Sequence, residues 1–127
     1  MSINSFTAAS AVALFMLASF AATAGDVKVT CEKRAHRSKV SVDGSSLNGG
    51  MYRAVTSSGD RTRRTDLQQA VGDQAQFDFD SNPNDIADGA TPIPADFIVN
   101  GRAKGWIVNA NGKRVTPIKE AICRIRN

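Results

Sequence analysis

The sequence predicts an all-β protein: a small antiparallel β-sandwich of about seven short strands, with one disulfide tying the first strand to the last. Three observations predict it. Apolar residues recur with a period of two, which puts one face of a strand in a core and the other in water. Turn residues fall between these runs at spacings of about ten residues, too short for helical layers. The only two cysteines, Cys31 and Cys123, lie near the two ends of the chain that follows an apolar leader.

That leader opens the chain. Residues 1–24 hold no Asp, Glu, Lys or Arg, are apolar from about Ala8 to Ala22, and close on Ala22-Thr23-Ala24. A small-x-small site after such a run reads as a signal peptide cut before Gly25. The rival is an uncleaved anchor, for which the apolar run is short against the ~20 residues of a span. A single domain over residues 25–127 is then expected, exported to the periplasm or the exterior, where two cysteines pair.

Val27, Val29 and Cys31 alternate with Lys28 and Thr30 as the first strand, and Val40 and Val42 with Lys39, Ser41 and Asp43 as the second. Asp43-Gly44 and Asn48-Gly49-Gly50 are expected to turn the chain. The next block, GGMYRAVTSSG, brings in Tyr52 after two glycines and alternates through Ala54. It resembles a strand of immunoglobulin-like and fibronectin-III-like modules. The resemblance covers this strand and implies architecture alone. The Cys-Trp-Cys spacing of true immunoglobulin domains is missing, since Trp106 lies 17 residues before Cys123.

Two short helices are expected. One covers residues 66–71, where Asp66 can cap good helix formers; the other opens at Ser81 or Asn82 before Pro83 and stops at Gly89. Between them Phe77 and Phe79 alternate with Asp78 and Asp80, so the aromatics should be core and both aspartates should face water. Asn111-Gly112 predicts a type I′ hairpin between GWIVNA and KRVTPI. In the last strand Ile118, Ala121, Cys123 and Ile125 should face the core, with Arg124 and Arg126 on the wet face.

The formal net charge of +4 is unevenly spread. Residues 66–96 carry seven aspartates and no basic side chain, while Lys and Arg gather on both flanks. Within the acidic stretch, Asp78, Asp80, Asn82 and Asp85 are the candidate ligands of a Ca²⁺ ion, which takes six to eight hard oxygens. A helix-loop-helix calcium site is excluded: Pro83 stands where that loop needs Gly, and Gly89 where it needs Glu. The simpler expectation is no cofactor, with these side chains making turns and caps.

Arg61, Arg63, Arg64, Arg124 and Arg126 are candidates for holding a polyanion, such as an acidic glycan or lipid headgroup, or an envelope protein. Nucleic acid is disfavoured, because three of the five aromatics after the leader lie at or inside the acidic middle or its core strand instead of among the basic residues. His36 is the one histidine, inside a basic loop, which leaves no zinc ligand set and a poor general base. Tyr52 and Trp106 are expected as packing residues. The function expected is therefore a non-catalytic binding or structural envelope module. A calcium-stabilised adhesive or recognition module using the loop from Asp78 to Asp88 is the first alternative, and a small secreted hydrolase the second.

Overall fold

The computed structural model describes residues 25–127; the expected signal peptide lies outside the described residues. The chain is nearly all β, in two sheets. The first is built on β1 (Asp26–Arg34) and β2 (Arg37–Ser45), a hairpin paired from Asp26↔Ser45 to Arg34↔Arg37. The second is built on β3 (Met51–Ser58), with β4 (Arg61–Arg64) and β5 (Gln68–Gln69) both laid along it. β6 (Ala75–Asp80) returns to β2; a short helix α1 (Pro83–Ala87) then leads to β7 (Thr91–Pro92) beside β6. β8 (Arg102–Asn109) pairs with β3, and β9 (Lys119–Ile122) with β8. β10 (Arg124–Ile125) crosses back to β1. The orders are β10-β1-β2-β6-β7 and β4-β3-β8-β9.

The sheets face each other across one core. Val27, Val40, Val42, Phe77 and Phe79 from the first sheet meet Tyr52, Ala54, Ala103 and Ile107 from the second. These are the inward positions that period two selects. Gly105 lets the sheets approach: a Cβ there would lie 2.8 Å from Val42 Cγ2 and 2.9 Å from Val29 Cγ2. The segment after β7 closes one end with Ile93, Phe97 and Ile98, all buried. Two buried serines pin it. The Ser38 hydroxyl donates to Ala95 O (2.7 Å), and the Ser58 hydroxyl accepts from Val99 N (2.7 Å) and donates to Arg102 O (2.7 Å).

Cys31 and Cys123 are bonded, with Cα atoms 4.6 Å apart across 92 positions of sequence. Cys31 is in β1; Cys123 sits between β9 and β10, where the chain leaves the second sheet for the first. The bridge therefore staples the sheets together at a crossover. Among the described residues, no helix is long and apolar enough to cross a membrane.

Several expectations are corrected. The sheets are not wholly antiparallel: β10 runs parallel to β1 and β7 to β6. Residues 66–71 form no helix. The run is too short to repay nucleation, and β3 beyond the end of β4 offers free ladder positions at Met51 and Tyr52, which Gln69 and Gln68 take. Asp43-Gly44 does not turn the chain but lies inside β2, paired to Lys28 and Val27. The second helix forms, with Asn82 Oδ1 accepting from Asn84 N (2.8 Å) as its cap. At the hairpin after β8 only Gly112 has a positive φ (81°), and Gly112 N donates to Asn109 O, so this is a turn closed by a glycine bulge and not type I′. The paired positive φ values occur instead at Asn100 (56°) and Gly101 (65°), between bridged Val99 and Arg102. Ile118 and Ile125 are exposed, because β9 is an edge strand and β10 is too short to be covered.

Candidate functional site

The four proposed calcium ligands are not arranged as one set. Asp78 is exposed on β6 and accepts from the Ser41 hydroxyl (2.7 Å). Asn82 is spent on its cap. Asp80, expected in water, is buried with 1% exposure, because Arg37 closes over it at the start of β2 where α1 leaves β6. The Arg37 guanidinium donates through Nε to Asp80 Oδ1 (2.9 Å) and through Nη2 to both Asp80 Oδ2 (2.7 Å) and Asp85 Oδ2 (2.8 Å). Burial pushes the Asp80 carboxyl up. The Arg37 hydrogen bonds, the Asn82 N–H and the charges of Arg37 and Lys39 outweigh it, so the pKa lies below the ordinary carboxylate value. The hydrogen bond to Asp80 raises the Arg37 pKa, against the opposing effect of burial. Among the described residues no group of three or more His, Cys, Asp and Glu side chains is placed to hold a metal ion.

Beside this triad runs an open cleft of about 380 Å³ lined by Asp66, Asp78, Asp80, Asp85 and Asp88 with Lys39. Five of the seven aspartates of the acidic middle thus gather at the β6–β7 edge of the first sheet. On the same face Asp43 has a raised pKa, from burial and then from the charge of Asp78.

The five proposed polyanion residues are separated. Arg61 pairs with Asp96 (2.9 Å), and Arg63 donates to the adjacent Thr62 O (3.0 Å). Arg124 and Arg126 are on or beside β10, in the other sheet, with Arg126 3.5 Å from Glu32. Only Arg64 joins a cationic constellation, and its companions were not expected. His36 is exposed in the turn between β1 and β2.

That constellation lies on the outer face of the second sheet and is assembled by strand register. In one row across the strands, Arg64 of β4 opposes Val55 of β3, which opposes Trp106 of β8. Two residues along, Arg53 opposes Val108, which bridges to Arg114 on the far arm of the hairpin. Opposed side chains on one face of a sheet stand ~5 Å apart at Cβ, so the two rows form a block. The rows enclose a groove of about 550 Å³, with Arg53, Arg64, Arg114 and Trp106 on its walls and Val55 and Val108 at its base. Val55 is 2% exposed and Val108 8%, although both are on the solvent side of the sheet. The long stems of the arginines and the indole cover them.

The hairpin holds Arg114 in place. Asn109 Oδ1 accepts from Asn111 N and Lys113 N (both 3.0 Å), and Arg114 Nη1 donates to Thr116 O (3.0 Å). Among the described residues no carboxylate lies within salt-bridge distance of Arg53, Arg64 or Arg114, and the groove's lining contains no acidic side chain. The available signal was the alternation Arg53-x-Val55 and Trp106-x-Val108, which becomes a site only once β3 and β8 are in register. Tyr52, by contrast, is core: 7% exposed, with its hydroxyl donating to Asn48 O (2.7 Å).

No family model, no curated protein and no solved structure matches the chain.

Proposed function

We propose that the chain is an exported, non-catalytic binding module of immunoglobulin-like or fibronectin-III-like architecture, which takes an anionic envelope partner on the outer face of its second sheet. The observation that carries this reading is the groove itself: three arginines without acidic partners among the described residues, brought by register onto one tryptophan. Such an arrangement costs mutual repulsion in the free protein. An anion relieves that repulsion on binding, and charged surfaces of this kind steer anionic partners. The partition of β1, β2 and β6 against β3, β8 and β9 supports the architectural reading, since strands A, B and E face C, F and G in immunoglobulin-like sandwiches. The disulfide supports export, being the bond expected in an oxidising compartment.

The test holds charge constant. Arg53→Gln, Arg64→Gln and Arg114→Gln together remove three positive charges from the groove. Arg63→Gln, Arg124→Gln and Arg126→Gln together remove three from elsewhere. On an immobilised polyanion at moderate salt, the first variant should elute much earlier than the wild type and the second only slightly earlier. Equal losses would mean that net charge alone drives retention, and the reading would fall.

A further inference from the structure

We infer that the groove's ligand is an acidic saccharide: a pyranose ring stacked on Trp106 with its carboxylate held by the arginines. This rests on the anion-binding reading above and names the ligand for that site. Two kinds of surface meet here. The base is apolar and recessed, formed by Val55 and Val108 beside the indole, while the walls are guanidinium. A bare anion such as phosphate would use the guanidinium groups and leave the half-buried indole of Trp106 unused. A ring with C–H bonds on one face and a carboxylate at its edge uses both. Aromatic faces carry partial negative charge and attract the slightly positive C–H groups of an apolar ring face. The guanidinium fork matches a carboxylate with two parallel hydrogen bonds. The groove's volume of about 550 Å³ falls in the range of pockets that take small organic ligands, ~300–1,000 Å³.

The same observations set other occupants behind this one. Single-stranded nucleic acid needs successive aromatics for successive bases, and this face offers one. A membrane surface is met by protruding apolar residues that sink to headgroup depth. Here Val55 and Val108 lie under the arginines, at 2% and 8% exposure, and Ile118 is the one larger aliphatic side chain of the groove that protrudes, at 49%. A second copy docking through the same face about a two-fold axis would set arginines against arginines.

Trp106 is the only tryptophan in the chain, so its fluorescence reports on this groove alone. The full exported protein is titrated with a polyuronate oligomer, with a neutral oligosaccharide of equal length, with inorganic polyphosphate and with anionic lipid vesicles. The polyuronate should shift the emission and saturate, and the neutral oligosaccharide should bind at least tenfold more weakly. By calorimetry, Trp106→Ala should weaken polyuronate binding about 2- to 12-fold, the worth of one aromatic contact, and leave polyphosphate binding unchanged. Trp106→Phe, which keeps a ring and guards against misfolding, should stay within about threefold of the wild type.

If polyphosphate binds as tightly as polyuronate, and both depend on Arg53, Arg64 and Arg114 but not on Trp106, the saccharide inference fails while the anion-binding face stands. If the triple Arg→Gln variant binds every anion as the wild type does, both fail. Vesicles bound more tightly than any oligosaccharide would replace the saccharide with a membrane surface.

Discussion

Replacing Arg37 with Met should destabilise the domain more than replacing Asp80 with Asn, although the two residues share one ion pair. In Arg37→Met the Asp80 carboxylate, 1% exposed, loses two hydrogen bonds and its counter-charge and keeps the Asn82 N–H at 3.0 Å. Stranding a buried charge costs about 3–5 kcal/mol. The Arg37 side chain is 23% exposed, so water can enter where it leaves, which points to the lower end, about 3 kcal/mol. In Asp80→Asn, Arg37 retains Asp85 at 2.8 Å and its contact with solvent, so the cost should be about 1–2 kcal/mol, near that of a weakened hydrogen bond. For a domain of this size 3 kcal/mol lowers Tm by roughly 12–24 °C.

The pH dependence gives the pair its signature. The folded Asp80 pKa lies below the ordinary carboxylate value, so its pairing contributes stability that is complete above that ordinary value and is lost as pH falls through the lower folded pKa. Without Arg37, burial is opposed only by the Asn82 N–H and the charge of Lys39, so the Asp80 pKa rises relative to the wild type. The penalty in Arg37→Met is therefore largest near neutrality and shrinks as acid neutralises the carboxyl. Urea unfolding followed by circular dichroism from about pH 7 to about pH 2 measures both effects. The reasoning is wrong if Arg37→Met costs no more than Asp80→Asn, or if the gap to the wild type widens on acidification.

Three further outcomes are expected. Cys31→Ser with Cys123→Ser should lose about 4–5 kcal/mol in the chain-entropy account of a loop spanning 92 positions, seen as a lower urea midpoint; a loss under 1 kcal/mol would count against the bond as the main staple. Millimolar Ca²⁺ should leave Tm unchanged, because Arg37 engages Asp80 and Asp85, whereas a chelator-reversible rise of several degrees that vanishes in Asp80→Ala would establish a cation site. Gly105→Ala should cost about 1–3 kcal/mol by overpacking, since its Cβ would meet fully buried Val42 at 2.8 Å, while Gly112→Asn, with open space at its Cβ and a residue tolerant of positive φ, should cost less; the reverse order in thermal melts would contradict the close approach of the sheets.

What was legible in the sequence was set by short-range physics. The alternation of Val40 and Val42 with polar neighbours, and of Phe77 and Phe79 with aspartates, needs only the pleat of a strand to become a buried face. Asn82 before Pro83 needs only its own backbone to cap a turn. The failures are where a neighbour distant in sequence competes. Residues 66–71 have acceptable helix formers, yet free positions on β3 captured Gln68 and Gln69. Asp80 shares its outward parity with Asp78. Whether such a position is wet depends on Arg37, 43 residues earlier, lying over it.

The groove shows the same limit more sharply, and the reason bears on how charged sites are recognised on sheets. Arg61, Arg63 and Arg64 are close in sequence, but adjacent residues of a strand point to opposite faces, so Arg63 and Arg64 cannot share a surface. Arg53, Arg64 and Arg114 are 11 and 50 residues apart in sequence and meet because β3 lies between β4 and β8 in the sheet. A slip of one residue in the β3–β8 pairing would turn Val55 and Arg53 away from the partners of Trp106. The same register that buries Tyr52, Ala54 and Ile107 on the inner face therefore sets three arginines around Trp106 on the outer one. Core packing fixes that register, and on the outer face the hairpin hydrogen bonds of Asn109 and Arg114 add only local order. Substitutions at Arg53, Arg64 or Arg114 should consequently change binding while leaving the fold intact.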